Sequence, residues 1–216
     1  MPKWKFLPGE TPIDDISGLK LTGITTRGQL SVAEAENILK ATVKYLFGKL
    51  SRRAAPFHLR WCLRLHSEMF GEVWMWAGKP RRCDLNIGVA WHQVEIELHS
   101  MLEDLAYREE HWPDVLEQAV YLHHRAVQIH PFLNGNGRWS RMLANIWLRL
   151  HDRPITEWPE QTIGDVSPVR SEYLDAIKLA DNGEMGPLIE LHARFSAPAP
   201  AESAPPTDDD VDADSR

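Results

Sequence analysis

The chain has 216 residues, enough for one domain with a sizeable core and too few for two large ones. Its 43% hydrophobic content and nine tryptophans are those of a globular protein, and no run approaches the ~18 consecutive apolar residues of a membrane span. The formal charge of −7 is concentrated at one end, where residues 197–216 hold six acids against Arg216; the body is nearly neutral, with Lys79, Arg81 and Arg82 its only tight basic group, which argues against a nucleic-acid face.

Residues 1–30 are rich in Pro, Gly and Thr without sustained periodicity and read as an arm laid over a domain spanning 31–196. Met1 to Glu10 lacks the apolar core of a signal peptide, so a cytoplasmic protein is expected. Ser31, with Glu34 three residues on, reads as a capping box opening a helix through about Phe47. A second helix is expected from about Pro56 to Phe70, with Leu59, Leu63, Met69 and Phe70 buried. Between Lys79 and Val89 the pattern breaks into polar residues and glycine, consistent with a short β-hairpin. An amphipathic helix follows over His92 to Tyr107, and Trp112-Pro113-Asp114 makes a turn that caps the next one.

That next helix, Val115 to Ile129, carries apolar residues near helical spacing and reads as buried. Pro131 disfavours the α conformation at the residue before it, so the helix stops at His130 and leaves its imidazole at the helix mouth. Asn134-Gly135-Asn136-Gly137 tolerates positive φ and close backbone approach, and a helix begins near Gly137 or Arg138. A glycine-rich turn before a helix N-terminus gathers N–H groups and the positive end of the dipole, which makes an anion site. Arg138 and Arg141, three apart on the first turn, point to a polyphosphate. A histidine beside such a cradle has the chemistry of a general base for a hydroxyl attacking phosphorus, hence nucleotidyl or phosphoryl transfer. Helices near 168–181 and 184–196 close the domain, with Tyr173 and the Asp181-Asn182-Gly183 turn expected at the edge of a nucleoside pocket, and the Pro-rich acidic stretch 197–216 reads as a disordered tail. Cys62 and Cys83 have no paired spacing, and the ten histidines form no metal motif.

Ile129 to Arg141 resembles the signature of the Fic (Fido) proteins, His-x-Phe-x-(Asp/Glu)-Gly-Asn-Gly-Arg-x-x-Arg, with seven of the eight specified positions in register: His130, Phe132, Gly135, Asn136, Gly137, Arg138 and Arg141. Phe70-Gly-Glu-Val-Trp-Met-Trp-Ala-Gly resembles another segment of those domains, and the N-terminal arm is similar to the bacterial "mobile mystery protein B" subgroup. The resemblance implies a mainly α Fic-type domain with a small β-hairpin flap. It implies a protein adenylyltransferase that moves AMP from ATP, with Mg²⁺ or Mn²⁺, to a Ser, Thr or Tyr hydroxyl of a target protein. His130 would be the base, Phe132 the loop anchor, Gly135, Asn136 and Gly137 the phosphate nest, and Arg138 and Arg141 the β- and γ-phosphate clamps. Gly137, where the kinase-like Doc branch has lysine, favours AMP transfer. Asn86, Ile87 and Gly88 would lie on the flap that pairs with the target segment. Asn134 replaces the usual metal-ligating acid with one neutral oxygen, which makes it a weak metal ligand. Glu36-Asn37 matches the end of the family's inhibitory helix, although Val32 stands where that motif has Ser or Thr, so Glu36 would pair with Arg141. The subgroup suggests an antitoxin or other regulatory partner. Two alternatives stay open: a nucleotide-binding regulator with little turnover, and an enzyme using UTP or CDP-choline or removing AMP.

Overall fold

A helix from Asn136 to Leu150 is buried at every position between Trp139 and Leu148, the mark of a core helix wrapped on all sides. The computed structural model describes residues 18–159 and 167–196; residues 1–17 of the expected arm and the acidic stretch 197–216 lie outside the described residues. The helices in chain order are α1 (Arg27–Leu46), α2 (Leu59–Phe70), α3 (Val94–His111), α4 (Val115–Ile129), α5 (Asn136–Leu150), α6 (Pro168–Asp181) and α7 (Gly186–Arg194), with a 3-10 turn at Trp91–Gln93 leading into α3. Helices α4 and α5 form the central pair. On it α1 and α2 cover α5, α3 covers α4, and α6 and α7 close the far side of α4.

Four fully buried tryptophans, Trp61, Trp74, Trp139 and Trp147, hold this arrangement together. Each aromatic of this size removes ~150–250 Å² from water, roughly 4–6 kcal/mol apiece as an upper bound. A smaller cluster of Val120, Trp158, Tyr173, Ile177, Leu188 and Leu191 fixes α6 and α7 on α4.

The helix ends follow local chemistry, and some differ from the sequence expectation. Thr26, not Ser31, caps α1: its hydroxyl accepts from Gln29 N–H while the Gln29 side chain answers the Thr26 N–H, a complete capping box one turn earlier than expected. Helix α1 therefore begins inside the stretch expected to be an arm. His58 caps α2 through Nδ1 on the Trp61 N–H, so α2 opens at Leu59 and not at Pro56. Asp114 caps α4 as expected, accepting from the N–H groups of Leu116 and Glu117.

The hairpin expected over Lys79 to Val89 does not form. Among the described residues the only β pairings are the isolated bridges Leu19 with Trp74 and Thr156 with Ser196. Arg81 supplies the physical reason. Its side chain is buried, its Nη1 donates to Cys83 O at 2.9 Å and its Nη2 donates to Val89 O, so these carbonyls turn inward on a cation. A charge-assisted bond to a guanidinium outweighs a neutral ladder bond.

Candidate active site

Every piece of the site hangs on the junction between α4 and α5. His130 ends α4 in the left-handed region at φ 52°, with its N–H still bonded to Ala126 O at 3.2 Å. Pro131 makes the α conformation unfavourable there, so the chain leaves the helix at His130. The Nδ1 atom lies 3.3 Å from Val127 O. A carbonyl only accepts, so the proton sits on Nδ1 and the basic lone pair is on Nε2. Burial, at 6% exposure, depresses the imidazolium; the Val127 carbonyl opposes this and the Arg81 charge adds to it, leaving the pKa at about 4. His130 is therefore a neutral base at pH 7.

The turn that follows is braced from inside. Phe132 lies 3.6 Å from the parallel ring of His66 and edge-on to Trp139 at 5.0 Å, measured between ring centroids. The Asn136 side chain accepts from Phe132 N–H and donates to Phe132 O, both at 2.9 Å, which closes the turn on itself. Gly135 caps α5 at φ 79°, and a Cβ there would sit 2.7 Å from the Phe70 ring, so only glycine fits. Asn134 Oδ1 accepts from Gly135 N–H at 2.6 Å. Like those of any helix, the first amides of α5 at Asn136, Gly137 and Arg138 lack intrahelical acceptors and face the mouth with the positive end of the dipole.

The two arginines flank that mouth. Arg141, 6% exposed, folds back so that Nη1 would lie 3.4 Å from a Cβ placed on Gly137. Its guanidinium stands 5.9 Å from the centre of the buried Tyr173 ring. Around it His123 joins His192 at 2.8 Å and Tyr173 Oη at 3.1 Å, and His192 reaches Thr156 Oγ1 at 2.9 Å. Burial, with the Arg141 charge adding, holds His192 neutral with its pKa near 3, and burial with its neighbouring His192 keeps His123 well below the usual range. Arg138 turns the other way, across the Phe70 ring at 4.8 Å, and meets Glu34 Oε2 at 2.7 Å. The other Glu34 oxygen accepts from Trp74 Nε1 at 2.7 Å.

Glu36, the expected inhibitory residue, is exposed on α1, and the carboxylate that α1 delivers to the signature is Glu34. Leu30, Glu34, Asn37, Ala41 and Tyr45 form the buried stripe of α1, so the helical period already marked Glu34. The expected flap residues Asn86, Ile87 and Gly88 are exposed, and Gly88 at φ 96° lies against His130: a Cβ there would come 2.6 Å from His130 Cβ. Arg81 is a site residue that the sequence pattern does not reveal. It donates to His130 O at 2.8 Å and to Ile129 O at 3.4 Å, so one buried cation joins the flap to the end of α4.

Residues 56–148 match the Fic/DOC family model. Over this segment the chain is similar to a Fic domain. The Fic fold extends over most of the described chain: BepC of Bartonella tribocorum, solved with bound AMPPNP, aligns at TM-score 0.61 and 16% identity over 82% of this chain and 90% of that one. Fic-1 of Caenorhabditis elegans aligns at TM-score 0.60 and 22% identity over 81% of this chain and 50% of that one. Among curated relatives, the protein adenylyltransferase fic-1 of Caenorhabditis briggsae is 29% identical over 139 residues, and the protein adenylyltransferase Fic of Drosophila grimshawi is 29% identical over 174. Those matches take in 62% and 76% of this chain but span 26% and 34% of the relatives' lengths.

Among the described residues the donor set of the candidate site does not amount to a protein-built metal centre. Among the described residues no group of three or more His, Cys, Asp or Glu could hold an ion, and the Asn134 amide oxygen is engaged with Gly135 N–H. No helix of the described residues is long and apolar enough to cross a membrane.

Proposed function

We propose that this Fic domain is an adenylyltransferase that moves AMP from ATP to the hydroxyl of a Ser, Thr or Tyr in a target protein. What supports the reading is a neutral His130 that ends α4, five residues before the α5 turn that opens on free amides and carries Arg138 and Arg141. The target hydroxyl oxygen attacks the α-phosphorus of ATP, the bond from that phosphorus to the β-bridging oxygen breaks, and pyrophosphate leaves. The hydroxyl proton passes to His130 Nε2. Charge on the departing pyrophosphate falls on the α5 amides of Asn136, Gly137 and Arg138 and on the guanidiniums of Arg138 and Arg141. An extended target segment lies along Asn86, Ile87 and Gly88, with Gly88 small enough to bring it next to the base. Any Mg²⁺ or Mn²⁺ arrives on the nucleotide phosphates, because Asn134 offers a neutral oxygen only.

In this reading Glu34 restrains the enzyme. It occupies the Arg138 guanidinium that a phosphate needs, and it is held in place by Trp74. The Asn at position 134 and the sequence of the arm support the bacterial "mobile mystery protein B" subgroup, and that subgroup in turn suggests a regulatory or antitoxin partner; the reading of Met1 to Glu10 supports a cytoplasmic setting. The paired Arg138 and the engaged Asn134 favour one second reading, a nucleotide-binding regulator with little turnover.

Transfer of label from α-labelled ATP onto the protein and a bacterial lysate tests the proposal, with wild type, Glu34→Gln and His130→Ala compared. Label that rises in Glu34→Gln and disappears in His130→Ala is expected. ATP binding with no label in any variant would overturn it for ATP, leaving the regulator or a UTP or CDP-choline donor.

A further inference from the structure

One buried side chain that the transfer chemistry does not use holds the phosphate turn from beneath. His66 lies on α2 with no exposed surface, stacked on Phe132 at 3.6 Å and 17° and against Phe70 at 4.7 Å. Gly78 N–H donates to its Nδ1 at 2.9 Å. A nitrogen that accepts carries no proton, so the neutral ring bears its hydrogen on Nε2, and Nε2 donates to Asn134 O at 3.0 Å. Burial holds the ring neutral with its pKa near 3, so this tautomer persists through the neutral range.

In a trans peptide the C=O and N–H point in opposite directions, and no described peptide is cis. Fixing the Asn134 carbonyl on His66 therefore turns the Gly135 N–H away from α2, where Asn134 Oδ1 meets it at 2.6 Å. That N–H therefore faces an oxygen acceptor on the side away from α2. Gly135 itself sits in the left-handed region at φ 79°, where an added Cβ would come 2.7 Å from the Phe70 ring.

We propose that His66 is a positioning residue for the nucleotide: it sets the 134–135 peptide so that the Gly135 N–H faces the phosphates, and a phosphate oxygen displaces the Asn134 amide oxygen from it. The inference rests on the reading of the α5 mouth as a polyphosphate site. It makes Gly135 N–H a phosphate donor only while His66 holds the opposite end of the peptide.

Two variants of the full chain test this. His66→Phe keeps a ring on Phe132 and removes both hydrogen bonds; His66→Gln carries an amide nitrogen to the reach of Nε2. The readouts are ATP affinity, the KM and kcat of label transfer, and amide hydrogen exchange at Gly135 to Arg138 against exchange in α3. Losing one hydrogen bond to a charged ligand predicts for His66→Phe an ATP affinity about tenfold weaker, with the loss in KM more than in kcat, faster exchange at Gly135 and unchanged α3. His66→Gln is expected to recover affinity to within about threefold of wild type. Wild-type affinity and exchange in His66→Phe overturn the proposal. So does a His66→Gln variant that keeps α3 protected but binds ATP no better than His66→Phe. If the wild type itself binds no ATP, the adenylyl-transfer reading fails, while Gly135 exchange still decides for or against His66.

Discussion

Replacing Glu34 by Gln separates a restraint from a structural ion pair. The carboxylate is nearly buried, with 7% of its side chain exposed, whereas the Arg138 side chain is 30% exposed, and the contact is 2.7 Å. A hydrogen bond to a charged group is worth roughly 1.5–3 kcal/mol when buried, and solvent around Arg138 reduces that to about 1–2 kcal/mol. Glu34 and a phosphate compete for the Arg138 charge, so removing the carboxylate charge raises ATP affinity by up to roughly 5–30-fold. Gln retains an oxygen for Trp74 Nε1, so the fold keeps that bond. Glu34→Ala instead leaves a buried N–H unpaired at about 1–3 kcal/mol in stability. Calorimetric titration of ATP, with label transfer run in parallel, measures the effect, and Glu36→Gln, altered at an exposed position, serves as the control. An unchanged ATP affinity in Glu34→Gln, or an equal rise in Glu36→Gln, would refute the reasoning.

Three further outcomes are expected. His66, His130 and His192 have folded-state pKa values depressed by burial to about 3, 4 and 3, and His123 is depressed in the same direction, so the unfolded chain takes protons from about pH 6.5 downward that the folded one refuses. Stability is then full above pH 6.5 and falls through that window by about 1.4 kcal/mol per pH unit for each histidine; equal urea midpoints at pH 7 and pH 5 would contradict it. Gly88→Ala places a Cβ 2.6 Å from His130 Cβ at a φ of 96°, so label transfer should drop at least about tenfold while helix content by circular dichroism is retained. Asn134→Asp adds the charge that the turn lacks, and half-maximal transfer should need less Mg²⁺; an unaltered Mg²⁺ dependence would argue that position 134 never meets the metal.

Whatever depends on near neighbours along the chain is legible in the residue order. The period of Val115 to Ile129, the Asp114 cap, the stop imposed by Pro131 and the glycine turn ahead of α5 are local constraints, and with His130, Arg138 and Arg141 they suffice to locate the site. Which groups come to meet them is a matter of tertiary packing. Glu34 and Glu36 are two residues apart on one helix and so face nearly opposite directions, about 200° apart, and the seating of α1 on α2 and α5 chose between them. His66 and Arg81 look ordinary in sequence. Their partners, Asn134 at a separation of 68 residues and His130 at 49, are backbone carbonyls, which carry no side-chain signature. The hairpin failed for the same reason: local composition permits a strand pair at residues 79–89, but the carbonyls that would form it are claimed by a guanidinium buried beneath the loop.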